Sequence, residues 1–199
     1  MKQEASRRPL TIVGIAGSLR RGSYNRGLIQ AAIELAPAGV KLVAHGLGDL
    51  PLYNADVEAS GDPRPVARLK RAIASADALL IATPEYNHCV PGVLKNAIDW
   101  ASRPARGSVL TGKPVAIMGA STGGGGTARA QAHLRDGLAY TNGLVLPLPE
   151  VLVSSAAAKF DAENTLTDEE TREEVRDLLK ALVAWVRRLQ MSPGEAVAS

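Results

Sequence analysis

The stretch LTIVGIAGSLRRGSYNRGLIQAAIEL, Leu10 to Leu35, changes character twice. Leu10 to Ala16 is a short, β-branched apolar run that reads as a buried strand ending at Gly17. From Asn25 to Leu35 the apolar residues Leu28, Ile29, Ala32, Ile33 and Leu35 follow helical spacing. The residues between them are polar, basic and punctuated by glycine. Strand, loop and helix in that order open a βα unit, and the same alternation runs on downstream. A weaker strand run spans Val40 to Ala44, a Pro-, Gly- and Asp-containing loop reaches Asp62, and a helix is expected from about Pro65 to Ser75. The strand Ala78 to Thr83 follows, then the loop Pro84 to Cys89 and a helix near Pro91 to Ser102, where Pro91 suits a first helical turn. Pro114 to Gly119 is another apolar strand, and a glycine loop precedes a helix from about Thr127 to Ala139. A last strand is expected near Leu144 to Val153. The C-terminal helix carries Thr167 and Glu170 as a capping box and an apolar stripe at Val175, Leu178, Leu179, Leu182, Val186 and Leu189.

Repeated βα units with continuously apolar strands imply an α/β fold, a parallel sheet covered by helices on both faces. Ligands of such sheets bind beyond the carboxyl ends of the strands, where strand order reverses. The loops after strands one, three and four are therefore the ones to read.

The 199 residues are 46% hydrophobic, 22% charged and 4% aromatic, which fits one globular domain and excludes collagen-like, low-complexity and disordered chains. No apolar run approaches the roughly 20 residues of a membrane span, and no targeting segment is read at the start. The lone cysteine, Cys89, excludes an internal disulfide framework and a Cys-cluster metal site, and favours a reducing compartment, by default the cytoplasm. His45, His88 and His133 lie in separate elements without paired spacing, so no metal set is expected. A net charge of +3 is too small to imply nucleic-acid binding. Between Glu4 and Glu34, however, Arg7, Arg8, Arg20, Arg21 and Arg26 occur without an acid. Positive potential gathered around the first loop suits an anion, and equally suits a solvated basic face.

In that loop, Gly17-Ser18-Leu19-Arg20-Arg21-Gly22-Ser23-Tyr24-Asn25, amides at a helix start lie beside hydroxyls and a guanidinium, as a phosphate site requires. Ser18, Ser23 and Asn25 offer neutral hydrogen bonds and Arg20 offers charge; the alternative is a Gly/Ser turn that only caps a helix. The nucleotide P-loop is excluded because Ser23 stands where its lysine is required, and the glycines at 14, 17 and 22 miss the dinucleotide fingerprint. The second loop, Thr83-Pro84-Glu85-Tyr86-Asn87-His88-Cys89-Val90-Pro91-Gly92, is stiffened by proline at both ends. Its amides at Glu85 to Asn87 are expected to face a bound planar ring, with Tyr86 either against that ring or plugging a gap. His88 reads as a surface histidine and Cys89 as a small buried filler. The third loop, Gly119-Ala120-Ser121-Thr122 followed by Gly123 to Gly126, contains Gly-x-Ser-x-Gly. A hydrolase triad would need an acid and then a histidine after Ser121, but only His133 follows, with no acid between. The glycines instead suit close backbone approach to a cofactor edge, with Ser121 and Thr122 as hydrogen-bonding groups.

At these loops the sequence resembles the NAD(P)H-dependent FMN reductases, a flavodoxin-like family that includes bacterial quinone and chromate reductases and related azoreductases. The residues that carry the likeness are Gly17 to Asn25, Pro84-Glu85-Tyr86-Asn87, Pro91-Gly92-Val93-Leu94-Lys95-Asn96-Ala97-Ile98-Asp99-Trp100, and the glycine loop with Ala128 to Arg135. The resemblance runs from about Leu10 to Glu150. It implies one flavodoxin-like domain with a five-stranded parallel sheet in the order 2-1-3-4-5, residues 1–8 and 190–199 being flexible ends. It implies non-covalent FMN, with phosphate on Ser18, Arg20, Ser23 and Asn25, the isoalloxazine against Pro84, Glu85, Tyr86 and Asn87, and Ser121 at the glycine loop. Residues matching Arg129 and Glu150 are implicated at a subunit contact and near substrate. NAD(P)H would deliver hydride through FMN to quinones or similar small acceptors, chromate and azo compounds among them, in ping-pong order, so no catalytic side chain is expected. The family implies a homodimer or homotetramer, with the helices around Lys95 to Trp100 and around Arg129 at contacts. The alternative is a flavodoxin-type electron carrier, against which the +3 charge and few aromatics speak.

Overall fold

The computed structural model describes residues 8–191. The elements are β1 (Leu10–Ala16), α1 (Tyr24–Glu34), β2 (Val40–His45), α2 (Ala55–Ala59), α3 (Arg64–Ser75), β3 (Ala78–Ala82), α4 (Gly92–Ala101), β4 (Pro114–Ala120), α5 (Ala128–Tyr140), β5 (Leu144–Val145), β6 (Val151–Val153), a 3-10 turn (Ala156–Ala158) and α6 (Glu169–Gln190). Most of the ends expected to be flexible lies outside the described residues. Of the rest, Arg8 pairs with Asp77 at 3.0 Å and Gln190 closes α6.

All strand pairings are parallel, in the order β2-β1-β3-β4-β5, with β6 also on β4. This is the expected flavodoxin-like order, and it reverses between β1 and β3. Side-chain alternation along β3 divides the core. Ala78, Leu80 and Ala82 join Ile12, Met118, Leu28 of α1 and the α6 stripe on one face. Leu79 and Ile81 join Val13, Ile15, Ile117 and residues of α3, α4 and α5 on the other. Both faces are thus covered, which is why β3 and β4 carry no polar side chain.

Several expectations need correction. The last strand is two pieces: β5 pairs with the start of β4 and β6 with its end. Between them stand Pro147 and Pro149, which have no amide to give a ladder. A short helix, α2, capped by the Asn54 side chain on the Asp56 amide, occupies the loop before Asp62. The capping box of Thr167 and Glu170 does not form, because α6 begins one residue later, with Asp168 accepting from the Thr171 amide at 3.1 Å. A carboxylate complements the helix dipole as a hydroxyl cannot. Lys159 and Thr171 hydrogen-bond the same carboxylate and hold its pKa down at about 2. The stripe of α6 ends at Val186, Leu189 being 40% exposed. Trp100, in a helix expected at a subunit contact, is fully buried and donates its indole N–H to the Pro51 carbonyl at 2.9 Å.

Candidate functional site: a cleft at the switch point

The loop after β1 is drawn towards β3, since the Gly17 amide donates to the Ala82 carbonyl at 2.8 Å. A Cβ on Gly17 would meet Leu94 at 3.0 Å and Pro84 at 3.2 Å, so the first and second loops touch here. Ser23 is the N-cap of α1, its hydroxyl accepting from the Arg26 amide, and no acidic residue stands in the first turn. The α1 start therefore keeps its positive end open to an anion. Arg20 is pinned beside it: its guanidinium donates to the Gly22 carbonyl at 2.6 Å and lies 5.4 Å from the centre of the Tyr24 ring.

Asn25 lines the cleft and has a structural part as well. It is 3% exposed, and both polar atoms of its side chain are bound to Ala120: its amide donates to the carbonyl at 2.8 Å and its oxygen accepts from the N–H at 2.9 Å. The side chain thus ties the start of α1 to the end of β4, and its second Nδ2–H and its backbone amide are left for an anion. Arg8 leaves the group gathered at this loop. Arg7 lies outside the described residues, and Arg8 sits at the amino end of β1, roughly 20 Å away by strand rise and neutralised by Asp77.

In the second loop, Tyr86 and Cys89 exchange backbone hydrogen bonds of 3.2 and 3.0 Å around Asn87 and His88, whose φ values are 52° and 59°. This is a two-residue hairpin turn. The Tyr86 amide is therefore consumed, and Asn87 stands at the tip, not among the cleft-lining residues. Cys89 is exposed, not a buried filler, because the hairpin projects from the sheet. Tyr86 is 52% exposed, with its hydroxyl 3.4 Å from the Ser18 hydroxyl across the cleft.

Glu85 anchors this hairpin. One carboxylate oxygen accepts from the Arg129 and Ala130 amides, both at 3.0 Å, at the start of α5, and the other lies 3.0 Å from His88 Nδ1. The Arg129 guanidinium stands 2.7 Å from the same His88 nitrogen. Burial pushes the Glu85 carboxyl up, but the Ala130 amide, the His88 ring and the Arg129 amide outweigh it and hold the group below its ordinary value. Glu85 thus faces the helix with its charge and is also part of the cleft wall.

The third wall follows β4. Gly119 is required by close approach, since a Cβ there would stand 2.1 Å from the Thr127 hydroxyl and 2.3 Å from the Thr83 carbonyl. Ser121 continues the pairing to β6 through the Val153 carbonyl at 2.9 Å, and its hydroxyl accepts from the Gly123 amide. Glu150 is 3.8 Å from Arg135 and is not joined to Arg129. His133 has no bond to Ser121, and no metal-holding cluster occurs among the described residues.

The three loops enclose a cleft of about 290 Å³ lined by Ser18, Arg20, Ser23, Asn25, Pro84, Glu85, Tyr86 and Ser121, with Tyr24, Ala120 and Thr122 added. Tyr24 and Ala120 stand inside the loops the sequence marks without being singled out there; Tyr24 lies under the Arg20 guanidinium. A larger groove of about 520 Å³ between α1 and β2 shares Ser18 but has neither the hairpin nor the glycine loop in its wall.

A helix start flanked by Arg20 on one side, and the hairpin and glycine loops on the other, set the cleft at the switch point of a flavodoxin-like fold. The chain belongs to the NADPH-dependent FMN reductase family, whose model matches residues 10–158. It is 51% identical over 181 residues to an NAD(P)H-dependent FMN reductase of Pseudomonas aeruginosa, covering 91% of this chain and 97% of that one. It is 40% identical over 177 residues to a quinone reductase of Pseudomonas putida, covering 89% and 95%. Among solved structures, FerB, a flavoenzyme NAD(P)H:(acceptor) oxidoreductase from Paracoccus denitrificans, superposes with a TM-score of 0.81 at 38% identity, covering 89% of this chain and 97% of that one.

Proposed function

We propose that the cleft holds FMN non-covalently, with its phosphate at the start of α1 and its ring between the Pro84–Tyr86 and Ala120–Thr122 walls. The activity is NAD(P)H-dependent reduction of FMN and quinones, with NAD(P)H and quinones as substrates. One observation carries the placement: loops from three strand ends converge on one cleft with Arg20 and the α1 start at one end and the exposed Tyr86 at the other. The donor set fits the group. Ser18, Ser23, Arg20 and the amides at the start of α1 suit a phosphate dianion, and Gly119 lets the third wall close on the second. Bound there, FMN supplies hydride acceptance and delivery, the step no side chain of the cleft performs. The chain's own part is to grip the phosphate, space the two ring walls and leave the Tyr86 side open for NAD(P)H and acceptor to bind in turn.

Arg129 and Glu150 are assigned to the acceptor side and a subunit contact, supported by the exposure of Arg129 beside the hairpin. A homodimer or homotetramer is the proposed assembly, supported by exposed Leu52, Tyr140 and Leu148. No helix among the described residues is long and apolar enough to cross a membrane. The cytoplasm is the proposed compartment, supported by the single cysteine.

The purified chain is expected to be yellow, with a flavin spectrum that bleaches when NAD(P)H is added without oxygen and returns on addition of a quinone. A chain that binds no FMN overturns the placement. Bound flavin that NAD(P)H does not bleach points to an electron carrier.

A further inference from the structure

We propose that Asn164, beyond the residues the family model matches, is a positioning residue that sets the grip on the FMN phosphate. The inference rests on the phosphate placement proposed above. The Asn164 side-chain amide donates to the Ser23 carbonyl at 2.8 Å, 141 residues away in sequence. That carbonyl already accepts from the Arg26 and Gly27 amides at 2.9 and 3.0 Å. The Ser23 carbonyl and the Tyr24 N–H belong to one planar trans peptide, so they point in opposite directions. Holding the oxygen towards the helix body therefore holds the Tyr24 N–H outwards, at the first free position of the α1 start where an anion is received.

The rest of the segment is built to keep Asn164 there. Its φ of 67° is a left-handed conformation that asparagine tolerates, and its amide donates to the Asp161 carbonyl at 3.1 Å. Asp161 and Thr165 close the turn through a backbone bond of 3.0 Å and a side-chain bond of 2.7 Å. Phe160 packs on Tyr24 with ring centres 5.1 Å apart, and Tyr24 in turn carries the Arg20 guanidinium on its face. Helix α1 has made room for this clasp: a Cβ on Gly27 would stand 2.5 Å from the Asn164 carbonyl and 2.8 Å from Phe160. Both the amide and the guanidinium that meet the phosphate are thus braced from residues 160–164.

The test compares FMN with riboflavin, which lacks only the phosphate, by quenching of flavin fluorescence on the full chain. The wild-type chain is expected to prefer FMN. Asn164→Gly keeps the left-handed backbone free of strain and removes one hydrogen bond, so the Kd for FMN should rise roughly three- to tenfold while that for riboflavin stays put. Gly27→Ala, which pushes the clasp off α1, is expected to lower the same preference if the first variant folds poorly. A wild-type preference that survives both substitutions, or affinities for both flavins that fall together, overturns the role of Asn164 alone. Equal wild-type affinity for the two flavins overturns the phosphate placement itself.

Discussion

The two ends of the cleft are made differently. At the proposed phosphate end Ser18, Ser23 and Asn25 are buried, and both polar atoms of the Asn25 side chain are paired with Ala120. At the proposed ring end Tyr86, Asn87, His88 and Cys89 are exposed on a hairpin held to α5 by Glu85. A buried, pre-paired frame suits a group that stays bound, because little ordering remains to be done on binding. A hairpin exposed to solvent suits partners that must come and go. On the proposed placement of FMN, retention and turnover are separated in space within one small cleft.

Substitutions at the two ends should break that contrast to different degrees. The largest effect is expected for Asn25→Ala, which strands the buried N–H and C=O of Ala120 and should cost about 2–4 kcal/mol of folding stability together with flavin retention. Thermal unfolding and flavin content after gel filtration measure both. Glu85→Ala should cost less, about 1–2 kcal/mol, since it uncaps the α5 start at a partly solvated place. Its signature is a raised KM for quinone that exceeds any loss of flavin. Asp168→Ala, remote from the cleft, should lower stability by about 1 kcal/mol and leave flavin binding unchanged. Because the folded Asp168 carboxyl titrates at about 2, below its ordinary 3.8, its contribution is complete above pH 4 and fades as pH falls towards 2. Acid titration of the wild type against the variant should show their difference closing over that range. The smallest effect is that of Tyr86→Phe, within about 0.5 kcal/mol in stability as for other exposed positions, yet with altered kcat/KM for quinone. A Tyr86→Phe chain that loses its flavin would show that the ring end also serves retention.

The strands and the three cleft loops are legible in the sequence because burial on both faces demands continuous apolar runs and because glycine and proline mark where they end. Ser18, Arg20, Ser23, Pro84, Glu85, Tyr86 and Ser121 all reach the cleft for that reason. What local pattern cannot carry is a side chain's distant partner. Asn25 reads as a phosphate ligand, and its tie to Ala120, 95 residues away, is invisible in the sequence. The Tyr86 amide looks available until the hairpin closes on Cys89. The last strand reads as continuous because Leu144 to Val153 is apolar throughout apart from Glu150, and only pairing with β4 shows the gap at its prolines.

That gap has a consequence for solubility. The far flank of the sheet offers an incoming polypeptide ladders of only two and three residues, parted by a proline-bearing segment without a continuous row of amides. Edge-to-edge accretion of sheets needs a longer unbroken template, so this border discourages fibre-like self-association through its own backbone.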